Sequence, residues 1–269
     1  MDPLFVLPDG TAAAAENMAR DALLLTAFTG PDVPRLRTYG WSNPAWTFGY
    51  SQSWSQARAA VGTDVELVRR TTGGGLVDHR RDSTYALVLP AAHPLAQARA
   101  PESYRVIHQA LAETLKIFGV PALLMTSEVG TTLRGVRQGI FDGDRSGRLE
   151  EASLPQGKSP ASLAKPVFDD ISVCFIKPEL HDIVRVDDRR KIAGAAQKRT
   201  RQGLLLQGSI SRDAAPEVRD WNALATAFTD QLGKILNAKP EPWLDPPFTP
   251  AVLTEVVAQF ASPAWNQRR

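Results

Sequence analysis

RRTTGGGLVDHRRDSTYALVLP, residues 69–90, joins a bare backbone turn to a strand. Gly73, Gly74 and Gly75 carry no Cβ, so the main chain there is free to take positive φ, fold against a ligand and present N–H groups to an anion or an acyl carbonyl. Arg69 and Arg70 precede the glycines and His79 follows them. Such groups inside an otherwise apolar stretch are costly to bury without partners. The alternating run Tyr85-Ala86-Leu87-Val88-Leu89 reads as a strand, so the layout is strand, glycine turn, strand. No Gly-Lys-Ser/Thr follows the glycines and no helix pattern begins there, which separates this turn from the phosphate loop of nucleoside triphosphatases. A triple glycine is also what a plain hairpin turn uses. The flanking arginines and histidine argue for a site.

Upstream, residues 11–29 read as a helix with Thr11 as N-cap, an alanine run, and an apolar stripe through Met18, Ala22, Leu25 and Phe28, ended by Gly30 and Pro31. Arg35 to Tyr39 and Trp46 to Tyr50 read as strands, with Trp41 and Trp46 as core aromatics. A short helix over Ser55 to Thr63 and a strand over Val65 to Val68 lead into the glycine turn. Downstream, a helix from about Glu102 places Tyr104, Ile107, Leu111, Leu115 and Phe118 on one face, closed by Gly119. His108 lies beside that face as a structural histidine, since nothing of metal-ligand spacing accompanies it. Val129 to Lys165 turns rich in glycine, serine and charge, the pattern of a long mobile insertion.

A second chemical centre lies in residues 171–210. Ile183 to Val186, Lys191 to Gly194 and Leu204 to Ile210 read as strands, and Gly194, Ala195 and Ala196 allow something to approach closely. Lys191 opens its strand. There it is either an edge charge that blunts the sheet or an ammonium aimed at an acyl carbonyl, able to stabilise an oxyanion or move a proton. Cys174, the single cysteine, excludes an intramolecular disulfide and a cysteine-rich metal site. Between Val173 and Phe175 it reads as a small buried hydrophobe or as a nucleophile. Val218 to Leu236 reads as a helix, followed by a proline-rich link and a last helix near Pro250 to Phe260.

Composition bounds these readings. The chain has 269 residues, 43% of them hydrophobic and 22% charged, which fits an ordinary globular protein with a sizeable core. No apolar run is long enough to span a bilayer, and the N-terminus lacks a basic start before an apolar core. The expectation is a cytoplasmic protein with no membrane partner. A net charge of +2 gives no reason to expect nucleic acid. The basic cluster from Arg185 to Arg201 is a solvated face or a surface for an acidic carrier protein.

The run R-R-x-T-G-G-G-x-V-x-H with Ser83-Thr84-Tyr85 behind it, K-I-A-G-A-A-Q at Lys191 to Gln197, and L-Q-G-S-I at Leu206 to Ile210 together resemble the biotin/lipoate protein ligase superfamily. Within it the chain is lipoate-protein ligase A-like and looks most like the single-domain octanoyltransferases. An early helix carrying Asn17, Met18 and Asp21, then W-x-x-P-x-x-x-x-G from Trp41 to Gly49 with Gln52 behind it, is similar to the superfamily's opening. The resemblance implies an α/β catalytic domain with a mixed, largely antiparallel sheet and flanking helices, of the type shared by class II aminoacyl-tRNA synthetases and biotin ligases. It implies a single domain over 1–269, with the insertion at 129–165 and no separate C-terminal ligase domain.

The resemblance also assigns roles. Lys191 falls on the family's catalytic lysine, and Val173-Cys174-Phe175 is similar to the octanoyltransferase segment whose cysteine carries the acyl group as a thioester. Arg70, Thr72, Gly73, Gly74, Gly75, His79 and Tyr85 are then substrate-binding on the loop side, and Gly194, Ala196, Gln197, Gln207 and Gly208 on the lysine side. No metal is implied. The implied activity moves an octanoyl or lipoyl group from acyl carrier protein to a lysine of a lipoyl domain or of glycine cleavage H protein, by a monomer needing no cofactor. Two alternatives stay open: an ATP- and Mg-dependent lipoate ligase working through an acyl-adenylate, and a non-catalytic acyl-binding homologue. Three positions depart from the common pattern. Gly75 stands where many octanoyltransferases have arginine, Arg80 stands where aspartate is common, and no histidine separates Gln207 from Gly208.

Overall fold

Alternation along the central strands sorts the core into two faces. Tyr85, Leu87 and Leu89, with Leu204 and Leu206, pack on one side of the sheet against Ile107, Leu111, Leu115, Phe228 and Leu232. Ala86, Val88 and Leu205 face the other side, against Leu23, Leu24, Leu25 and Phe248. A period of two places successive side chains on opposite faces, so one sequence run supplies both cores.

The computed structural model describes residues 1–7, 10–126, 178–245 and 247–268. The insertion expected at Val129 to Lys165 and the candidate nucleophile Cys174 lie outside the described residues. In chain order the strands are β1 Asp2–Leu7, β2 Thr11–Ala12, β3 Arg35–Trp41, β4 Ala45–Phe48, β5 Glu66–Arg69, β6 Val77–Asp78, β7 Asp82–Pro90, β8 Ala122–Leu124, β9 Ile183–Arg185, β10 Lys191–Thr200, β11 Gly203–Ser211 and β12 Ala238–Pro242. The helices are α1 Ala14–Thr26, α2 Trp54–Val61, α3 Pro94–Gln97, α4 Ala100–Ile117, α5 Trp221–Leu236, α6 Pro250–Ala261 and α7 Pro263–Asn266.

The larger sheet runs β12-β1-β3-β7-β11-β10-β9-β8, with β2 beside β3. β1 is parallel to β12 and to β3, whereas each pairing from β3 through β8 is antiparallel. A smaller sheet, β5-β4-β6, carries the two ends of the glycine turn. The mixed, largely antiparallel sheet with helices on its flanks is the expected architecture. Among the described residues no helix is long and apolar enough to cross a membrane.

Several boundaries differ from the sequence reading. α1 starts at Ala14, not at Thr11, which pairs as β2 with Gly40 instead. Its first amide is satisfied from a distant strand, Ala14 N–H donating to Glu66 Oε2 at 2.7 Å, so no local cap is needed. β10 continues to Thr200, because the antiparallel ladder with β11 holds from Ala193 to the turn at Thr200 and Gly203. β1 and β12 were not expected. β12 is the edge strand and holds two prolines that weaken a strand signal, and β1 lies between it and β3.

α1 is fixed to the sheet by buried charge. Arg37 on β3 donates to Asp21 Oδ1 at 2.6 Å and to Asn17 Oδ1 at 2.7 Å, its side chain 1% exposed and that of Asp21 fully buried. Removing one partner of such a pair leaves the other uncompensated. Arg37→Ala is expected to lower stability by about 3–5 kcal/mol, read as the urea midpoint against wild type; a loss below about 1 kcal/mol would show the pair is not structural.

Candidate active site

A cavity lies between the glycine turn, α1 and the β10–β11 hairpin, lined by Arg70, Gly74, Gly75, His79, Lys191, Gly194, Ala196, Gln207 and Gly208 from the sequence-derived set. Met18, Tyr39, Thr47, Tyr104 and Asp182 line it too. Two walls are built by local sequence, and the floor by a hairpin.

On the loop side, Gly74 takes φ +88°, a conformation that side chains rarely adopt, and a Cβ on Gly49 would run into the Gly74 carbonyl. These two glycines let the turn fold onto β4. Arg70 then fastens it, donating from Nη2 to the Gly73 and Gly75 carbonyls at 2.8 and 2.9 Å and from Nη1 to Thr47 Oγ1 at 2.7 Å. Thr47 Oγ1 lies 2.7 Å from His79 Nε2, and His79 Nδ1 lies 2.7 Å from Asp82 Oδ2. Ser209 also donates to Asp82, and the His79 ring stacks on Trp41 at 4.0 Å. His79 is therefore held on both nitrogens and one face.

On the α1 side, Thr72 Oγ1 donates to Gln207 Oε1 at 2.7 Å, and Gln207 Nε2 donates to Asp21 Oδ2 at 2.6 Å. Tyr39 donates to the same oxygen at 2.7 Å. Burial pushes the Asp21 carboxyl up, against the pull of Arg37 and the hydrogen bonds of Gln207 and Tyr39. Burial, then the Asp21 charge, pushes the Tyr39 hydroxyl well above its usual range. The glycine turn, the β11 strand and α1 thus share one buried network.

On the β10 side, Lys191 Nζ pairs with Asp182 Oδ2 at 2.7 Å, the two side chains being 3% and 2% exposed. Tyr104 donates to Asp182 Oδ1 at 2.6 Å and accepts from the Ala195 N–H at 2.8 Å. The Glu179 N–H donates to Asp182 Oδ2 at 2.6 Å. Burial, then the charge of Asp182, raises the Tyr104 hydroxyl far above its usual range, so it stays a donor. Gly194 makes this packing possible: a Cβ there would meet Lys191 Cε at 2.5 Å and Nζ at 2.6 Å. The arrangement presents one buried cation beside small-residue backbone, suited to polarising a carbonyl oxygen.

The remaining sequence-derived residues lie behind the lining. Thr72 and Gly73 act from the back of the turn through the bonds just described. The Tyr85 ring lies under Gly208, filling the space a Cβ would need, and packs edge-on to Phe228 at 5.2 Å. Gln197 points to α4, donating to the Ala100 carbonyl at 3.1 Å. Sequence reasoning missed Asp182, although the β9–β10 hairpin pairs Ile183 with Ala193 and so brings residue 182 to Gly194. Among the described residues no His/Cys/Asp/Glu group is arranged to hold a metal.

Residues 13–241 match the family of lipoyl protein ligase A/B catalytic domains, and the chain belongs to that family. Octanoyltransferase LipM of Kyrpidia tusciae is 32% identical over 221 residues, covering 79% of this chain and 67% of the relative. Octanoyltransferase LipM of Geobacillus kaustophilus is 30% identical over 216 residues, covering 79% and 66%. The chain thus spans about two thirds of the length of these relatives. A bi-partite lipoate protein ligase from Thermoplasma acidophilum shares the fold, with a TM-score of 0.65 at 15% identity over 100% of this chain and 98% of that one.

His108 backs the site, its ring 4.1 Å from that of Tyr104 and its Nδ1 2.8 Å from the His181 carbonyl. Burial lowers its pKa to about 4 from 6.5. A histidine kept neutral by folding takes up a proton in the unfolded chain first, so stability is full above about pH 6.5 and falls as pH drops toward about 4. The loss is on the order of 3 kcal/mol. Urea unfolding across that window should show the slope in wild type and a flatter one in His108→Gln; equal slopes would assign the acid sensitivity elsewhere.

Proposed function

We propose that this chain is an octanoyltransferase of lipoate metabolism, carrying an octanoyl group from a thioester carrier to a lysine of a lipoyl domain. The observation that supports this most is a buried Lys191 ammonium beside the bare backbone of Gly194, in a cavity walled by the glycine turn, in a chain whose curated relatives are named octanoyltransferases. Acyl carrier protein is the donor we favour, and lipoyl domains or glycine cleavage H protein the acceptors.

In this reading Cys174 gives up its proton and its thiolate attacks the donor thioester carbonyl, the carrier sulfur leaves and takes up that proton to become a thiol, and the octanoyl group rests on Cys174. The acceptor lysine amine then attacks that thioester, an amide forms, and the Cys174 sulfur is released to regain its proton. Lys191 stabilises the oxygen charge that develops in both steps. A thioester is already activated, so neither ATP nor a metal enters. Cys174 owes this role to its sequence context alone.

Intact mass after mixing with octanoyl carrier protein is expected to show one octanoyl adduct, absent in Cys174→Ala. Modification of a lipoyl domain by free lipoate and ATP without any adduct would replace transfer by ligation, and failure of both reactions with retained ligand binding would leave a binding protein. Gly194→Ala is expected to cut octanoyl transfer about 100-fold when assayed well below its unfolding midpoint, because the added Cβ displaces the Lys191 stem and misplacing a catalytic group by about 1 Å is that costly. Unchanged transfer in that variant would remove Lys191 from the chemistry.

A further inference from the structure

The family match ends at residue 241, yet α6 and α7, beyond it, pack on α1 and on β5, the strand that leads into the glycine turn. β5 is an edge of the small sheet, so Arg69 offers an N–H and a carbonyl to one side with no strand to take them. Two side chains of α7 stand in for that strand. The Arg69 N–H donates to Asn266 Oδ1 at 2.8 Å, and the Trp265 indole N–H donates to the Arg69 carbonyl at 2.8 Å. The Asn266 amide is held the right way round from its other end, Nδ2 donating to the Phe260 and Ser262 carbonyls at 2.7 and 3.1 Å.

The Arg69 side chain closes the connection. Nη1 donates to the Tyr50 and Gln52 carbonyls at 2.5 and 2.8 Å, and Nη2 donates to the Asn266 and Arg268 carbonyls at 2.8 and 3.2 Å. Tyr50 in turn donates its N–H to the Thr72 carbonyl at 2.9 Å. Gln52 Oε1 accepts from the N–H of Gly49, the residue pressed against Gly74. The next residue, Arg70, fastens Gly73 and Gly75. A continuous set of bonds thus runs from α7 through Arg69 to the turn. α6 braces a second wall, since Phe260, Val256 and Val257 pack in one cluster with Met18, which lines the cavity.

We propose that Trp265 and Asn266 are positioning residues of the active site: they hold the glycine turn in register through the edge of β5 that no strand pairs, without touching substrate. Only the kinetic consequence rests on the octanoyl-transfer reading; the structural one stands apart from it. Trp265→Phe keeps the ring and removes the indole donor, while Asn266→Ala removes the strand substitute. Hydrogen exchange is expected to speed up about tenfold at the amides of residues 71–75 in both variants, with β7, β11 and α4 near wild type. The KM for octanoyl carrier protein is expected to rise about tenfold with a smaller change in kcat. Asp220→Ala, which removes the cap of α5, should leave residues 71–75 at the wild-type rate. Unchanged exchange there in Asn266→Ala overturns the proposal, and so does an equal acceleration through β7 and β11, which would make the tail a general stabiliser. Local acceleration in a protein whose wild type transfers no octanoyl group keeps the positioning role and removes the transfer reading.

Discussion

Lys191 brings an ammonium into a sheet from which water is nearly excluded, and Asp182 is what allows it to stay there. Desolvating two such charges costs several kcal/mol each, and the pair recovers this only when its remaining hydrogen-bonding capacity is filled. Asp182 meets that condition: beyond Lys191 it accepts from Tyr104 and from the Glu179 N–H. Tyr104 needs its own fixed place, which the Ala195 N–H supplies from the same strand as Lys191. The geometry closes on itself within β10, the residues before β9, and α4. Gly194 follows as a steric requirement, because the lysine stem occupies the space its side chain would take.

The opposite wall answers the same problem with a different cation. Arg37 neutralises Asp21, and Asp21 then gathers Tyr39 and Gln207, so α1 cannot shift without breaking bonds on β3 and β11. Thr72 ties the glycine turn to that network through Gln207. Buried polar networks of this kind are costly when half satisfied and rigid when complete. A cavity set between two of them keeps its shape, which is what a site acting through preorganised charge requires.

Much of this was legible in the sequence, and the remainder was hidden for a definite reason. Alternation in Tyr85 to Leu89 and Leu204 to Ile210 marks the central strands, and the glycines mark the turn, because these signals are local. The roles of Asp182, Tyr104 and Thr47 depend on partners far along the chain, Tyr104 and Asp182 being 78 residues apart. The start of α1 departs from the local cap signal for the same cause, since its first amide is satisfied by Glu66 and not by a neighbouring side chain. Gln197 illustrates the converse: β10 continues past the cavity, and alternation turns that residue toward α4.

The departures from the family pattern acquire a physical meaning once placed. Arg80 is a surface residue, paired with Asp78 at 2.6 Å and lying over the Trp46 ring at 5.5 Å, so a change there leaves the cavity untouched. Gly75 contributes its carbonyl to Arg70, a role open to any residue type. At Gln207-Gly208 the constraint is tighter. Gln207 spends both ends of its amide on Thr72 and Asp21, and Gly208 must stay bare above the Tyr85 ring. A side chain at position 208 would have to displace that ring, whereas the amide at 207 already links α1 to the turn. The absence of a histidine here is thus matched by a complete set of bonds, and the charged floor beneath it, Lys191 with Asp182, is retained whole.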